Sequence, residues 1–295
     1  MRKSLNSKIL FIISMFIFGT LSIFVKNINL TSGEIALYRA ILAAIVIGIF
    51  LLFSKQKINI FDYKKELILT CISGIAMGFN WVFLFEAYNY TSVSIATLSY
   101  YFAPIIVTIL SPLIFKEKMN IKKWICFIMS TVGIILITGF GELDNRNNLL
   151  GIVFGLLAAT LYATVILLNK LVKKLSGIQR TFIQFLSATF ILIPYVLLTS
   201  GINIVTMDGT SWIYLLIVGI IHTGITYCMY FTSLKEMAGQ QAAILSYIDP
   251  LVAILISVVI LQETMTITQI IGGSLILIFT LLNEISISKC IKVKK

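Results

Sequence analysis

Charge is scarce in this chain. Only 12% of its 295 residues are Asp, Glu, Lys or Arg, whereas 59% are hydrophobic. The mean hydropathy is +1.01. A soluble domain is about 45–50% apolar, so a soluble core is not a serious rival here. Four cysteines, Cys71, Cys126, Cys228 and Cys290, lie too far apart for a metal-ligand or redox pair, and nothing implies a disulfide. His222 is the one histidine, and a metal site needs several ligands; neither a metal nor a cofactor is expected. No nucleophile–base pairing or phosphate loop occurs. Gly272-Gly273 follows no strand, so it is not a dinucleotide fingerprint. These absences argue against an enzyme. The net charge of +11 raises nucleic acid as a partner, but the basic residues punctuate apolar runs instead of forming one face.

What fills the chain is a succession of apolar runs of roughly 20 residues, each long enough to cross a bilayer. We read ten, at about 8–26, 33–53, 66–87, 93–115, 122–140, 149–171, 179–199, 211–233, 240–261 and 267–285. The first follows Arg2 and Lys3 but lacks a short apolar region with a cleavage site, so it is read as a helix and not as a signal peptide. Lys and Arg set the orientation. With the amino terminus in the cytoplasm, the outer segments hold only Lys26 and Arg146, and Arg39 lies inside a run; the other 20 of the 23 basic residues fall on the inner side. Both termini are then cytoplasmic, and the expected location is the cytoplasmic (inner) membrane.

The ninth run contains Asp249-Pro250 near its middle. An ionised carboxylate at mid-membrane depth costs roughly +2.5 to +3.5 kcal/mol even on a lenient scale. Pro250 has no N–H, so the carbonyl of Ser246 loses its helical partner. Such features persist in lipid only where protein or a wet cavity satisfies them. The run also has an echo: shifted back by 146 positions, Pro250 falls on Pro104, Tyr247 on Tyr101, Ala242 on Ala96 and Glu263 on Glu117. Asp249 falls on Ala103, which is where the halves differ. Two repeats of five runs, 1–145 and 146–295, follow. Five is odd, so the second copy enters the bilayer from the opposite side, the arrangement that underlies alternating access.

Several residues are candidates for a site. Ala242, Ser246, Asp249, Ala253 and Ser257 share a helical face, with small residues leaving room for a cavity. Substrate contacts are expected from Asp249, Tyr247, Ser246, Tyr101 and Tyr100, with Pro104 and Pro250 breaking their helices. The alternative for Asp249 is a protonated carboxyl that caps the break. Asn80 and Thr226 occupy equivalent depths in the third and eighth runs, flanked by Trp81 and His222, and substrate contacts are expected from these four as well; the alternatives are interhelical hydrogen bonds and, for His222, satisfied packing. Arg39 follows Glu34 by five residues, about 7 Å along a helix. It reads as a counter-ion or gate residue, or as a side chain snorkelling to the outer interface.

The order of motifs resembles the drug/metabolite transporter superfamily, specifically its EamA family. It rests on Pro104 with Lys116-Glu117, Pro250 with Gln262-Glu263, Phe16–Lys26 (FIFGTLSIFVK), Leu37–Ala44 (LYRAILAA), and glycine-bearing closing helices at Gly133 and Gly272. It covers essentially the whole chain. The resemblance implies a secondary carrier without ATP, with the fifth and tenth helices peripheral. It implies a cavity lined by the first, third, fourth, sixth, eighth and ninth. Small multidrug carriers of that superfamily use a glutamate in the first span; this first span has no acid, so their exchange chemistry is not carried over. The expectation is an all-α integral membrane protein exporting a small metabolite, an amino acid or a related compound, with protons as a candidate coupling ion. Multidrug or organic-cation export with proton antiport, and a non-transporting receptor or assembly subunit, are the alternatives. The sequence leaves monomer or homodimer open.

Overall fold

The computed structural model describes residues 2–54, 64–116, 119–138, 146–237 and 239–292. Glu117, the counterpart of Glu263, lies outside them, as do Lys55, Lys57, Lys118, Lys294, Lys295 and the repeat boundary at 145. Among the described residues all regular structure is helical. In chain order the helices are α1 (Arg2–Gly19), α2 (Leu21–Val25), α3 (Ser32–Phe53), α4 (Lys64–Tyr90), α5 (Val93–Tyr100), α6 (Ala103–Phe115), α7 (Ile121–Thr138), α8 (Arg146–Leu171), α9 (Gly177–Thr199), α10 (Gly209–Leu216), a π-helix (Ile217–Ile225), α11 (Thr226–Leu234), α12 (Gly239–Ser246), α13 (Ile248–Val259) and α14 (Ile267–Lys292).

Among the described residues, seven stretches are long and apolar enough to cross a membrane; Ile244–Val259 and Ile267–Asn283 are shorter apolar helices. Their outward surface is apolar, with Phe190 81% and Leu198 87% exposed. Water does not tolerate so many exposed apolar side chains, and lipid does. This is a multi-pass membrane protein.

Local chemistry explains where helices start. Thr31 caps α3 and Ser176 caps α9, each in a reciprocal box with Glu34 or Gln179 three residues on. Asp208 caps α10, and the Ser211 hydroxyl bonded to it holds its carboxyl below the usual range. Both expected proline breaks occur. The fourth run is interrupted at Tyr101-Phe102 and the ninth at Tyr247, with Pro104 and Pro250 in the first turns of the helices that follow. A third interruption, at Thr20 between α1 and α2, has no proline.

Helix α3 is buried along one face. Its Ala36, Ala40, Ala43 and Ile47 are fully buried, and it packs on α4, α9 and the π-helix. Small residues let these backbones approach closely. At the far side α7 lies along α14. A Cβ added to Gly133 would sit 2.7 Å from the Gly272 carbonyl oxygen, and one added to Gly272 would sit 2.6 Å from that of Gly133. The two closing helices therefore meet backbone to backbone, at the two glycines that carry the family resemblance.

Candidate functional site

The interrupted helices bring two residues of the expected set into direct contact. The Tyr101 hydroxyl, at the break before Pro104, donates to Oδ2 of Asp249 in the first turn of α13. Asp249, Tyr100, Tyr101 and Ser246 remain half-buried, while Tyr247 is buried. Tyr100 stacks on Tyr162 at 5.3 Å and meets Tyr101 edge-on at 5.8 Å. Helix α1 closes the other flank: a Cβ on Gly19 would lie 2.6 Å from the Asp249 carbonyl oxygen and 2.7 Å from Cβ of Val252.

Arg39 comes from the middle of the bundle. It is 3% exposed, so it does not snorkel. Its guanidinium carbon lies 4.2 Å over the Trp81 ring, a cation–π contact. Its Nε donates to the Thr223 hydroxyl at 2.7 Å. Among the described residues this is the guanidinium's only hydrogen bond, so the Nη edge makes none. Tyr88, Tyr100, Tyr227 and Asp249 lie within electrostatic reach. Yet Arg39 and Asp249 form no ion pair; among the described residues Lys26–Glu263 is the only salt bridge.

Glu34 is not brought to Arg39. Its fully buried carboxylate accepts from Thr31 and from the backbone N–H of Asn203 at 2.6 Å and its Nδ2 at 3.2 Å. The capping box turns it toward the loop after α9, and five residues is a poor spacing for a helical pair. Asn80 and Thr226 are buried and engaged with backbone. Asn80 Nδ2 donates to the Ala158 carbonyl at 2.6 Å, and the Thr226 hydroxyl donates to the Ile221 carbonyl at 2.7 Å. Asn80 also lies beside Tyr100. His222 contacts Thr20 Oγ1 through Nε2 at 2.9 Å and the Ile217 carbonyl through Nδ1 at 3.3 Å, with its ring against Phe24. A cavity of about 270 Å³ lies elsewhere, between Leu10, Val46, Phe50 and Met229, and touches neither Arg39 nor Asp249.

Thr223, Tyr88 and Tyr227, which the sequence does not single out, are the polar neighbours of Arg39. Lys26, one of the two basic residues on the expected outer side, also has a specific partner. Lys26 Nζ lies 2.7 Å from Oε1 of Glu263. Oε2 of Glu263 accepts from the Val93 N–H at 2.8 Å and from the Ser257 hydroxyl, and Ser94 donates to Ser257 at 2.6 Å. One network thus ties the end of α2 to the start of α5 and the end of α13.

The EamA-like transporter family matches this sequence twice, over residues 6–139 and 149–284. The chain is 33% identical over 270 residues to the uncharacterized transporter YxxF of Bacillus subtilis, covering 89% of this chain and 86% of that one. It is 27% identical to an uncharacterized transporter of Archaeoglobus fulgidus, over 90% and 92% of the two chains. A protein of known crystal structure shares the fold with a TM-score of 0.64 at 14% identity, over 94% of this chain and 97% of that one.

Proposed function

This chain belongs to the EamA-like transporter family, and from that premise we propose that it is a secondary carrier exporting a small zwitterionic metabolite, an amino acid or a related compound, across the cytoplasmic membrane. Two inverted five-helix repeats, 1–145 and 146–295, exchange shapes around a central site, with both termini in the cytoplasm. The paired breaks at Tyr101 and Tyr247 and the reciprocal contact of Gly133 with Gly272 support that symmetry.

One observation carries the choice of substrate. Arg39 is a buried cation, the Asp249 carboxyl lies within its electrostatic reach, and the two are not paired with each other. An unpaired buried ion costs several kcal/mol. A ligand with a carboxylate and an ammonium supplies both missing partners at once. The Nη edge of Arg39 suits a carboxylate, which it holds by two parallel hydrogen bonds. Asp249 takes the ammonium, with Tyr101, Tyr100, Tyr247 and Ser246 around it and Trp81 under the guanidinium. Asn80 and His222 stand behind, tying α4 to α8 and the π-helix to Thr20, while Thr226 bonds within its own helix. In the empty carrier Asp249 holds a proton, which the arriving ammonium displaces. A proton gradient then drives export.

Counterflow in proteoliposomes tests this. Zwitterionic amino acids are expected to exchange, and the corresponding amides and decarboxylated amines are not. Asp249→Asn removes the dependence on a pH gradient. Amines exchanging as well as zwitterions would instead favour the organic-cation reading, which the aromatic rings beside Asp249 would suit.

The Lys26–Glu263 network lies on the outer side in this orientation and acts as an outer latch. Half-exposed ion pairs contribute about 0.2–1 kcal/mol, so Glu263→Gln biases the latch open without unfolding the chain. With the four native cysteines replaced, a cysteine at position 94 is expected to react severalfold faster with an impermeant maleimide in the Glu263→Gln variant. An unchanged rate removes the latch.

A further inference from the structure

The π-helix marks one extra residue in the second copy. In α4, Gly74 and Gly78 are four apart. They pack on Gln184 and Ala188 of α9, also four apart. In the echo, Gly219 and Gly224 are five apart, yet they pack on Leu42 and Val46 of α3, again four apart. Five residues of an α-helix would swing the second glycine about 140° off the face. Five residues of a π-helix, whose hydrogen bonds run i→i+5, come back to it. The π-helix therefore absorbs the extra residue while keeping both glycines against α3. A uniform shift of 146 had matched Gly219 with Ser73; the packing matches it with Gly74.

The first copy has three apolar residues between its glycines, Ile75, Ala76 and Met77; the second has Ile220, Ile221, His222 and Thr223. The added length lets two adjacent polar side chains leave for different neighbours. His222 meets Thr20, and Thr223 meets Arg39. The Thr223 hydroxyl gives its proton to the Val218 carbonyl, five residues back, at 2.7 Å. Its oxygen can then only accept, which matches the Nε–H that reaches it.

The geometry points to Thr223 as a positioning residue for Arg39. Held at Nε by Thr223 and on one face by Trp81, the guanidinium has its plane fixed and its Nη edge left for a ligand. This rests on the reading that the Nη edge meets the substrate carboxylate. Tyr88, Tyr100 and Tyr227 approach the same guanidinium, but among the described residues Thr223 alone accepts a hydrogen bond from it.

Thr223→Val keeps the shape and removes the acceptor, while Thr223→Ser keeps the acceptor. Valine is expected to raise KM for a zwitterionic amino acid about tenfold, the effect of one hydrogen bond to a charged group. Serine is expected to restore it. A second readout does not involve transport. With Trp124→Phe and Trp212→Phe, Trp81 is the sole tryptophan, and its emission reports the guanidinium above it. Valine should shift that emission in the direction that Arg39→Gln does, and serine should return it. Emission and KM both unchanged in valine, in a protein of unaltered thermal midpoint, overturn the proposal. Emission that shifts while KM does not upholds the positioning of Arg39 and overturns the carboxylate reading instead.

Discussion

Arg39→Gln is expected to lower counterflow of a zwitterionic substrate by about a hundredfold, through the loss of the proposed bidentate charge-assisted contact, whose hydrogen bonds are worth roughly 1.5–3 kcal/mol each. Glutamine fills most of the same space and can still donate to Thr223. What it lacks is the charge and the forked Nη edge. Arg39→Lys is expected to fare little better. A single ammonium cannot bond Thr223, lie flat on Trp81 and grip a carboxylate together. Transport of an amine without a carboxylate, if there is any, is spared, because its partner is Asp249. The measurement is initial counterflow rate per reconstituted protein, with the thermal midpoint as a check on folding. Flux near wild type in Arg39→Gln would make Arg39 a packing residue and withdraw the zwitterion.

Gly19→Val is expected to have an effect at least as large, and it acts through the backbone. The space beside Gly19 is occupied by the carbonyl oxygen of Asp249 and the Cβ of Val252. Neither can move aside by changing a rotamer, so α1 must withdraw from α13. Overpacking of this kind costs typically 1–3 kcal/mol. Here the displacement falls on the residue that bears the carboxylate. Transport is expected to vanish while much of the fold survives, with a lower thermal midpoint. Gly19→Ala should fall between. Full transport by Gly19→Val would mean that α1 and α13 do not meet this way in the working protein.

Periodicity and composition carry most of this fold. Among the described residues, seven of the ten expected apolar runs coincide to within a few residues with helical stretches long and apolar enough to span, because length and hydropathy dominate in lipid. The breaks at Tyr101 and Tyr247 were legible because proline removes a donor wherever it stands. The contact of Tyr101 with Asp249 was expected only as a shared neighbourhood. Arg39 was legible as an anomaly, but its partners were not. Glu34 was the nearest acid in sequence, and capping claimed it. Thr223 lies 184 residues away, and its orientation depends on a π-turn that α-helical spacing cannot anticipate. The one available signal was the five-residue interval between Gly219 and Gly224 against the four between Gly74 and Gly78. Lys26 and Glu263 stood at run ends, where anchors and latches read alike.

The glycine crossing of α7 and α14 constrains how the rest can rearrange. A side chain built on either glycine would strike the facing carbonyl, so the two backbones have little room to slide and are expected to travel as a single strut. Any reshaping of the interior must then be taken up by the joints in the other helices, at Thr20, at Tyr101-Phe102 and at Tyr247. All three joints lie within or beside the segments that hold Asp249. In the carrier proposed above, motion and ligand recognition would thereby be concentrated in the same few residues.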